Sequence, residues 1–362
     1  PTRRSSDLLL LIWQLQSFWL NHWSEEIWIG VNFLSKIKHY TGKAAAFVII
    51  IVSCTTLLSG CNYQSYDTTS LLHISDFPEL PIVRPGGLAS DNVVIPYDAY
   101  VYDNTESEYT AGLLINQTQN NVIYAANPHK RIYPASMTKI LTAIVVMDAI
   151  ESGQISLNDT VVIGKKIKFN EDNVAVLGLQ PGDYITINDL MHALLISSLN
   201  DCAIVLARYV GGNVSSFVDL MNQKAAELGA TNSHFVNPHG LHDNNHYTTP
   251  YDLYLIFKEF LKHDTLLQID SKSSYKITYT RNDEKVDVEL TATNAFLSNS
   301  FEMPTGYQIT GWKTGTTEKA GNCIILEFVN DETGDKYICL VSNAKDHETL
   351  YQNVEDMLKQ IY

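Results

Sequence analysis

A serine and a lysine three residues apart, Ser136 and Lys139, stand at the start of a long apolar run. The run, residues 140–147, predicts a helix, and this spacing places the hydroxyl and the amine on one helix face, a turn apart. Because Pro134 favours an extended approach, we expect Ser136 in the first turn, where free N–H groups and the helix dipole stabilise negative charge. Burial would lower the pKa of the lysine, so the pair is a candidate nucleophile and base.

Two further short polar motifs follow along the chain. Residues 198–200 (SLN) interrupt a predicted helical lobe, and residues 313–316 (KTGT) open a predicted strand directly after Trp312. Each motif alone is common, since a polar break in a helix or a turn before a strand would account for it. In this order, Ser-x-x-Lys, Ser-x-Asn and Lys-Thr-Gly resemble the triple motif of penicillin-binding proteins and serine β-lactamases.

The resemblance is closer to one branch, the low-molecular-weight D-alanyl-D-alanine carboxypeptidases, across about residues 100–360. It rests on residues 134–139 (PASMTK), 198–201 (SLND), 237–241 (NPHGL) and 313–315 (KTG). The resemblance implies an α+β fold of the serine β-lactamase/DD-peptidase type, with an antiparallel sheet flanked by helices and an inserted helical lobe. It also implies a penicillin-sensitive enzyme that removes the terminal D-alanine from peptidoglycan stem peptides.

The resemblance implies a role for each motif residue. Ser136 attacks the carbonyl between the two D-alanines, Lys139 takes its proton, and Ser198 relays a proton. The backbone N–H groups of Ser136 and Thr316 form the oxyanion hole. No cofactor is implied and no metal-ligand spacing stands out. Substrate binding is implied for Asn200, Lys313, Thr314, Gly315 and Thr316.

Three alternative activities use the same residues. A β-lactamase needs a glutamate to activate the deacylating water, and no Glu-x-x-Leu-Asn segment lies between the second and third motifs. A DD-endopeptidase that cuts peptide crosslinks remains open. A penicillin-binding sensor that acylates without turnover also remains open, although every nucleophile and base position is filled.

The N-terminal region does not continue the pattern of the main body. Residues 1–30 hold four of the five tryptophans and no methionine precedes Met137, so we expect an artefactual or non-native leader there. Residues 31–60 combine lysines, a short apolar run and a small-residue site before Cys61, as in a bacterial lipoprotein signal. An uncleaved anchor with an incidental cysteine is the alternative.

We expect Cys61 to be acylated and to hold the protein to a membrane on its extracytoplasmic side. Residues 61–95, rich in proline and glycine, then read as a tether. We expect residues 96–362 to form the catalytic domain, without an extra C-terminal domain.

The chain is strongly acidic, with a formal net charge of −15. Residues 1–60 carry five basic and three acidic side chains, which leaves −17 for the rest. This charge argues against nucleic acid or anionic lipid as a binding partner. The expected partners are peptidoglycan peptides ending in D-Ala–D-Ala, β-lactam inhibitors, and a membrane only through the N-terminal lipid.

The main body alternates between strand and helix patterns. Strands flank a helical middle, which suggests a sheet assembled from both ends of the domain, with a cleft between the sheet and the lobe. The predicted elements are a hairpin over about 109–127, short strands within 155–185, helices from 186 to 211 and over 214–228 and 250–262, strands within 274–341, and a helix over 348–361.

Three features of the main body receive structural interpretations. Cys323 and Cys339 lie on neighbouring apolar runs and could form a disulfide across a hairpin, although small core residues are the more common outcome. Pro238 and Gly240 are typical of a fixed loop, so we interpret 237–241 as scaffold. Trp312 is expected to pack beside the cleft floor.

Overall fold

The computed structural model describes residues 92–95, 110–171 and 173–361. The predicted leader, the signal segment, Cys61 and most of the tether lie outside these ranges. Within them, no helix combines the length and apolarity that crossing a membrane requires.

A five-stranded antiparallel sheet joins the two ends of the domain. The strand order is β2-β1-β9-β8-β7, so the first hairpin pairs with the last strands through β1 and β9. This arrangement confirms the predicted sheet and leaves β7 at one edge. Its strands are β1 (Ala111–Asn116), β2 (Asn121–Ala126), β7 (Tyr307–Thr317), β8 (Gly321–Asn330) and β9 (Lys336–Ala344).

Seven helices are found in the described part of the chain, and α1 is the central one. Eleven of its 14 residues are buried, and it contacts α2, α3, α4 and α5, as expected for a helix that is apolar on all sides. The helices are α1 (Thr138–Glu151), α2 (Ile187–Leu195), α3 (Asn200–Gly211), α4 (Val214–Glu227), α5 (Pro250–Phe260), α6 (Asp264–Asp270) and α7 (His347–Leu358).

Side-chain caps fix where several helices begin. The Thr186 hydroxyl accepts the Asp189 N–H at 3.0 Å before α2, and the Thr249 hydroxyl accepts the Asp252 N–H at 3.1 Å before α5. These bonds confirm both caps expected from the sequence. Helix α6 was not predicted, because its seven residues are too few for a clear periodic pattern.

A second antiparallel sheet has the order β3-β4-β5-β6. Its strands are β3 (Thr160–Val162), β4 (Tyr184–Thr186), β5 (Ser274–Arg281) and β6 (Glu284–Thr291). The sequence predicted strands from 274 onwards but not that the first two leave the main sheet. Asn282 and Asp283 both have positive φ, which closes β5 and β6 into a tight local hairpin.

The three cysteines within the described ranges are buried and unpaired. Leu326 faces Cys339 across the β8–β9 pair, and Cys323 lies three positions away along the strand. The proposed disulfide is therefore wrong, because the strand register separates the two thiols. The alternative, that these cysteines are small core residues, is confirmed.

A short piece of the segment interpreted as a tether packs against α5. The Val93 N–H donates to the Tyr254 hydroxyl at 3.3 Å, and the Tyr251 hydroxyl donates to the Val93 carbonyl at 3.0 Å. Val93 and Ile95 are both buried. Residues 92–95 thus belong to the packed body of the domain.

A partly buried ion pair holds the second sheet to the turn at residues 180–183. Two nitrogens of Arg281 contact the Asp183 carboxylate, with Nη2 to Oδ2 at 2.6 Å and Nε to Oδ1 at 3.0 Å. Burial alone would raise the pKa of Asp183, but hydrogen bonds from Arg281 and the Gln180 N–H outweigh it and lower the pKa. The charged form of Asp183 is therefore favoured by folding.

We predict that Arg281→Ala lowers the free energy of unfolding at pH 7 by about 2 kcal/mol, the usual value of a hydrogen bond to a charged group. A lowered carboxyl pKa contributes stability above the unfolded pKa, and the contribution disappears as pH falls through the folded pKa. The difference from wild type should therefore shrink below about pH 4. Urea unfolding at pH 7 and pH 3 measures it.

Lys276→Ala is the matched control, because Lys276 pairs with Asp287 on the exposed face of the same sheet. We expect no measurable change for this variant, since exposed ion pairs contribute little. Equal losses for the two variants, or a loss for Arg281→Ala that is the same at both pH values, would contradict the interpretation.

Candidate active site

Ser136 lies on a single 3-10 turn, Ala135–Met137, that leads directly into α1. The prediction that the serine stands at the helix start is confirmed. The backbone that leads into the helix, however, is not extended at Pro134 as expected. Pro134 has helical angles, and the backbone instead turns at Ala135, whose φ is +47°. A positive φ is unfavourable for alanine, so the residue before the nucleophile is strained.

Lys139 is completely buried, and its amine contacts three oxygen atoms. The distances from Nζ are 2.8 Å to Ser136 Oγ, 2.9 Å to Asn200 Oδ1 and 2.8 Å to the His239 carbonyl. Burial, aided by the charge of Lys313, holds the pKa of Lys139 well below its ordinary value. A neutral amine donates two hydrogens, to Asn200 and His239, and keeps its lone pair for the Ser136 proton.

Asn200 begins α3 and connects the lysine to a loop of the cleft wall. Its side-chain Nδ2 and its backbone N–H both donate to the Ala175 carbonyl at 2.9 Å. The next residue, Asp201, accepts three backbone N–H groups of the same loop, at 2.8–3.1 Å. Asp201 was not assigned a role from the sequence, although it is the last residue of the 198–201 (SLND) motif on which the family resemblance rests.

Ser198 lies in the turn between α2 and α3, as predicted. Its φ is +58°, which turns the backbone sharply between the two helices. The side chain is buried, and its Oγ has no hydrogen-bond partner within the described ranges. A buried hydroxyl without a partner costs free energy, so this atom is available to bond a ligand.

The third motif lies on β7, at the edge of the main sheet. The Lys313 side chain is completely buried, and its amine donates to the Thr314 carbonyl at 3.3 Å. Burial lowers the pKa of Lys313 to about 8, although the nearby Asp270 carboxyl opposes this shift. Trp312, buried as expected, donates its indole N–H to the Asp270 carbonyl at 2.7 Å.

Gly315 brings β7 against the nucleophile. A Cβ atom at this position would lie 2.9 Å from Ser136 N and 3.1 Å from the Pro134 carbonyl, closer than a side chain tolerates. The expected close approach of the strand is therefore confirmed, and only glycine allows it.

Two threonines on β7 present hydroxyl groups near the glycine. The Thr314 hydroxyl lies 2.5 Å from that of Thr293, and the Thr316 hydroxyl donates to Asn322 Oδ1 at 3.3 Å. Nothing in the sequence singled out Thr293, because a lone threonine between two strands carries no recognisable signal.

The loop at 237–241, interpreted as scaffold, also supplies one of the lysine acceptors. Asn237 Oδ1 accepts the Gly240 N–H at 2.6 Å and the His239 N–H at 3.2 Å, which forms a tight turn. This turn directs the His239 carbonyl at Lys139. Burial, with Lys139 nearby, lowers the pKa of His239 to about 3, so its ring is neutral. The sequence indicated a turn but not which carbonyl it would present.

The predicted site residues meet at one cavity of about 500 Å³. Lys139 and Lys313 lie buried behind it, and Glu171, Glu318 and His347 are at its rim. Cys61 lies outside the described ranges. The motif residues that line the cavity are Ser136, Ser198, Asn200, Thr314, Gly315 and Thr316.

Known proteins are similar to this chain in sequence and in fold. The D-alanyl-D-alanine carboxypeptidase DacF of Bacillus subtilis is 32% identical over 222 residues, which are 60% of this chain and 53% of that protein. A D-alanyl-D-alanine endopeptidase of Pseudomonas aeruginosa is 28% identical over 216 residues, covering 60% of this chain and 66% of that protein. The crystal structure of penicillin binding protein 6B from Escherichia coli matches with a TM-score of 0.61 and 26% identity, covering 74% of this chain and 80% of that one.

This chain spans about half of the length of the Bacillus relative. The described domain nevertheless contains all three motifs, and residues 101–346 match the family described as D-alanyl-D-alanine carboxypeptidase. The matched range contains Ser136, the buried Lys139 amine beside it, and the strand β7 that approaches them. The chain belongs to the D-alanyl-D-alanine carboxypeptidase family of peptidases.

Proposed function

We propose that this chain is a serine-type D-alanyl-D-alanine carboxypeptidase that removes the terminal D-alanine from peptidoglycan stem peptides. One observation carries the proposal: the buried Lys139 amine, 2.8 Å from Ser136 Oγ, has its two other hydrogen-bonding directions occupied by protein oxygens. The amine is thereby oriented with its remaining position toward the serine. This is the arrangement that a nucleophile and its base require.

The reaction proceeds through an acyl-enzyme. Ser136 Oγ bonds to the carbonyl carbon between the two D-alanines while its proton moves to the Lys139 amine. The C–N bond then breaks, and the proton that Lys139 accepted passes to the leaving D-alanine amine, with the unpartnered Ser198 hydroxyl of the cavity wall as its relay. A water molecule hydrolyses the ester, which releases the shortened peptide and restores Ser136.

Substrate recognition uses the β7 side of the cleft. The Lys313 charge attracts the terminal carboxylate, and the hydroxyls of Thr314 and Thr316 bond to it. Asn200 uses one lone pair of Oδ1 for Lys139 and one Nδ2 hydrogen for the Ala175 carbonyl, so the second lone pair of Oδ1 and the second Nδ2 hydrogen remain for a substrate amide. β-Lactams would acylate the same serine, which agrees with the name of the structural relative from Escherichia coli.

A DD-endopeptidase activity is the second candidate, because one relative carries that name. Cutting a crosslink requires the same attack on a D-alanyl carbonyl, with a longer leaving group. The cleft residues named above serve either reaction.

We predict that brief incubation of the purified full chain with penicillin gives a stable covalent adduct by intact mass, and that Ser136→Ala gives none. The wild type should also release D-alanine from a pentapeptide ending in D-Ala–D-Ala, and Ser136→Ala should lose at least about a thousandfold of this activity. Thr293→Ser, which keeps the cleft hydroxyl, is the matched control and should retain both properties.

Other outcomes would redirect the assignment. An adduct without D-alanine release indicates a sensor or an endopeptidase, and a crosslinked dimer substrate separates these two. Rapid penicillin hydrolysis without an adduct indicates a β-lactamase. The absence of any adduct would overturn the serine mechanism.

A pH dependence follows from Lys313. Because burial lowers its pKa to about 8, the free enzyme loses this charge as pH rises through that value. We predict that kcat/KM for the D-Ala–D-Ala peptide falls above about pH 8, since kcat/KM reports ionisations of the free enzyme. Lys313→Arg should move the fall to higher pH, because guanidinium stays charged.

The matched substrate for this experiment ends in D-alaninamide, which has no carboxylate. Its kcat/KM should show no fall at the pH where Lys313 titrates. If both substrates lose activity in parallel, Lys313 does not act through the carboxylate.

We propose further that Cys61 carries lipid and anchors the catalytic domain to a membrane on its extracytoplasmic face. The proposal rests on the sequence of residues 31–61, with a basic segment, a short apolar run and a small-residue site that ends in cysteine. The acidic body gives the domain no electrostatic affinity of its own for anionic lipid.

We predict that Cys61→Ala, expressed in a bacterial host, loses incorporation of labelled palmitate and moves from the membrane to the soluble fraction. Cys323→Ala is the control, because that thiol is buried in the main sheet and should leave the labelling unchanged. A membrane-bound, unlabelled Cys61→Ala protein would instead indicate an uncleaved anchor.

A further inference from the structure

A buried histidine outside the cavity is hydrogen-bonded to the start of α1. His246 is 2% exposed, and its Nε2 lies 2.8 Å from the Thr138 hydroxyl. Thr138 in turn donates to the Ala135 carbonyl at 2.8 Å. These contacts join the loop that follows the 237–241 turn to the strained residue before the nucleophile.

The directions of these hydrogen bonds are fixed by one contact. The Val236 N–H points at His246 Nδ1 over 3.1 Å, so Nδ1 accepts and Nε2 carries the ring hydrogen. Nε2 therefore donates to Thr138 Oγ1, and the threonine hydroxyl must give its own hydrogen to the Ala135 carbonyl. The ring is neutral in this arrangement, as expected where burial lowers the pKa of His246 to about 3.

The Ala135 carbonyl belongs to the same planar peptide unit as the Ser136 N–H. Rotating the carbonyl therefore rotates this N–H, which lies beside β7 at the closest approach of Gly315. Because Ala135 has a positive φ, the orientation of its peptide unit depends on contacts from outside the backbone.

Gly240 encloses the same carbonyl from the loop side. A Cβ atom at position 240 would lie 1.8 Å from the Ala135 oxygen and 2.9 Å from Thr138 Oγ1. The carbonyl thus has the loop backbone on one side and the Thr138 hydroxyl as its donor. The loop contact comes from the turn that also presents the His239 carbonyl to Lys139, and the donor comes from the first residue of α1.

We propose that His246 is a positioning residue that acts through Thr138 to fix the Ala135–Ser136 peptide unit, and with it the oxyanion-binding N–H of Ser136. The inference rests on the proposed function, since it concerns the same acylation step. In this role His246 does more than pack in the core, because the hydrogen on its Nε2 is needed for rapid acylation of Ser136.

The experiment compares two variants of His246 whose side-chain amides each replace one of the two ring nitrogens. In His246→Gln the amide reaches the place of Nε2 and can still donate to Thr138. In His246→Asn it reaches only the place of Nδ1 and can still bond Val236. We measure the rate constant for acylation by a fluorescent penicillin and the unfolding midpoint of each full-length variant.

We expect His246→Gln to acylate within about threefold of wild type and His246→Asn to be slower by about 30- to 100-fold, the loss typical of a misplaced reacting group. Thr138→Ser should behave like the glutamine variant, and Thr138→Val, which lacks the hydroxyl, like the asparagine variant. His192→Gln is the control, because this buried histidine of α2 contacts the Asn188 carbonyl and does not line the cavity.

Equal acylation rates for the two amide variants would overturn the inference, whatever their unfolding midpoints, because a purely structural histidine affects stability alone. Nitrogen-15 NMR of the wild-type imidazole provides a second test that does not depend on activity. A hydrogen on Nε2 supports the inference, and a hydrogen on Nδ1 overturns it. If the wild type is not acylated at all, the proposed function fails and the inference fails with it.

Discussion

Burying the Lys139 amine is the interaction on which the rest of the site depends. An amine without access to water is costly to charge, so burial lowers the pKa of Lys139 and favours the neutral, proton-accepting form. This burial follows from α1 itself, which is apolar on nearly all sides and lies at the centre of the helical lobe. The polar atoms that the buried amine still requires are supplied by α3 and by the 237–241 turn.

Two glycines hold the nucleophile between separate parts of the fold. Gly315 brings the edge strand to the Ser136 nitrogen, and Gly240 brings a loop backbone to the Ala135 oxygen. The two positions have opposite backbone requirements, since only Gly240 has a positive φ. The nucleophilic turn is therefore restrained by main chain on both sides, which no side-chain rotamer change can relax.

The sequence predicted the elements whose signals are local. The helix caps at Thr186 and Thr249, the apolar α1 and the three motifs were all readable, because propensity and spacing determine them. Long-range arrangements were not readable: strands were predicted from residue 274 onwards, but not that the hairpin of β5 and β6 belongs to a second sheet. Ala135 was missed for a related reason: its left-handed backbone is imposed by tertiary contacts and contradicts its own propensity.

The oxygen atoms around Lys139 also have consequences for folding. Asn200 and His239 lie 61 and 100 residues along the chain from the lysine. The amine therefore reaches its dry, bonded environment only after contacts of long sequence separation have formed, which are among the slower events of folding. A partly folded chain exposes Ser136 beside an ordinary charged lysine and lacks a nucleophile. Chemical reactivity of this serine is thus acquired late, as a property of the completed domain.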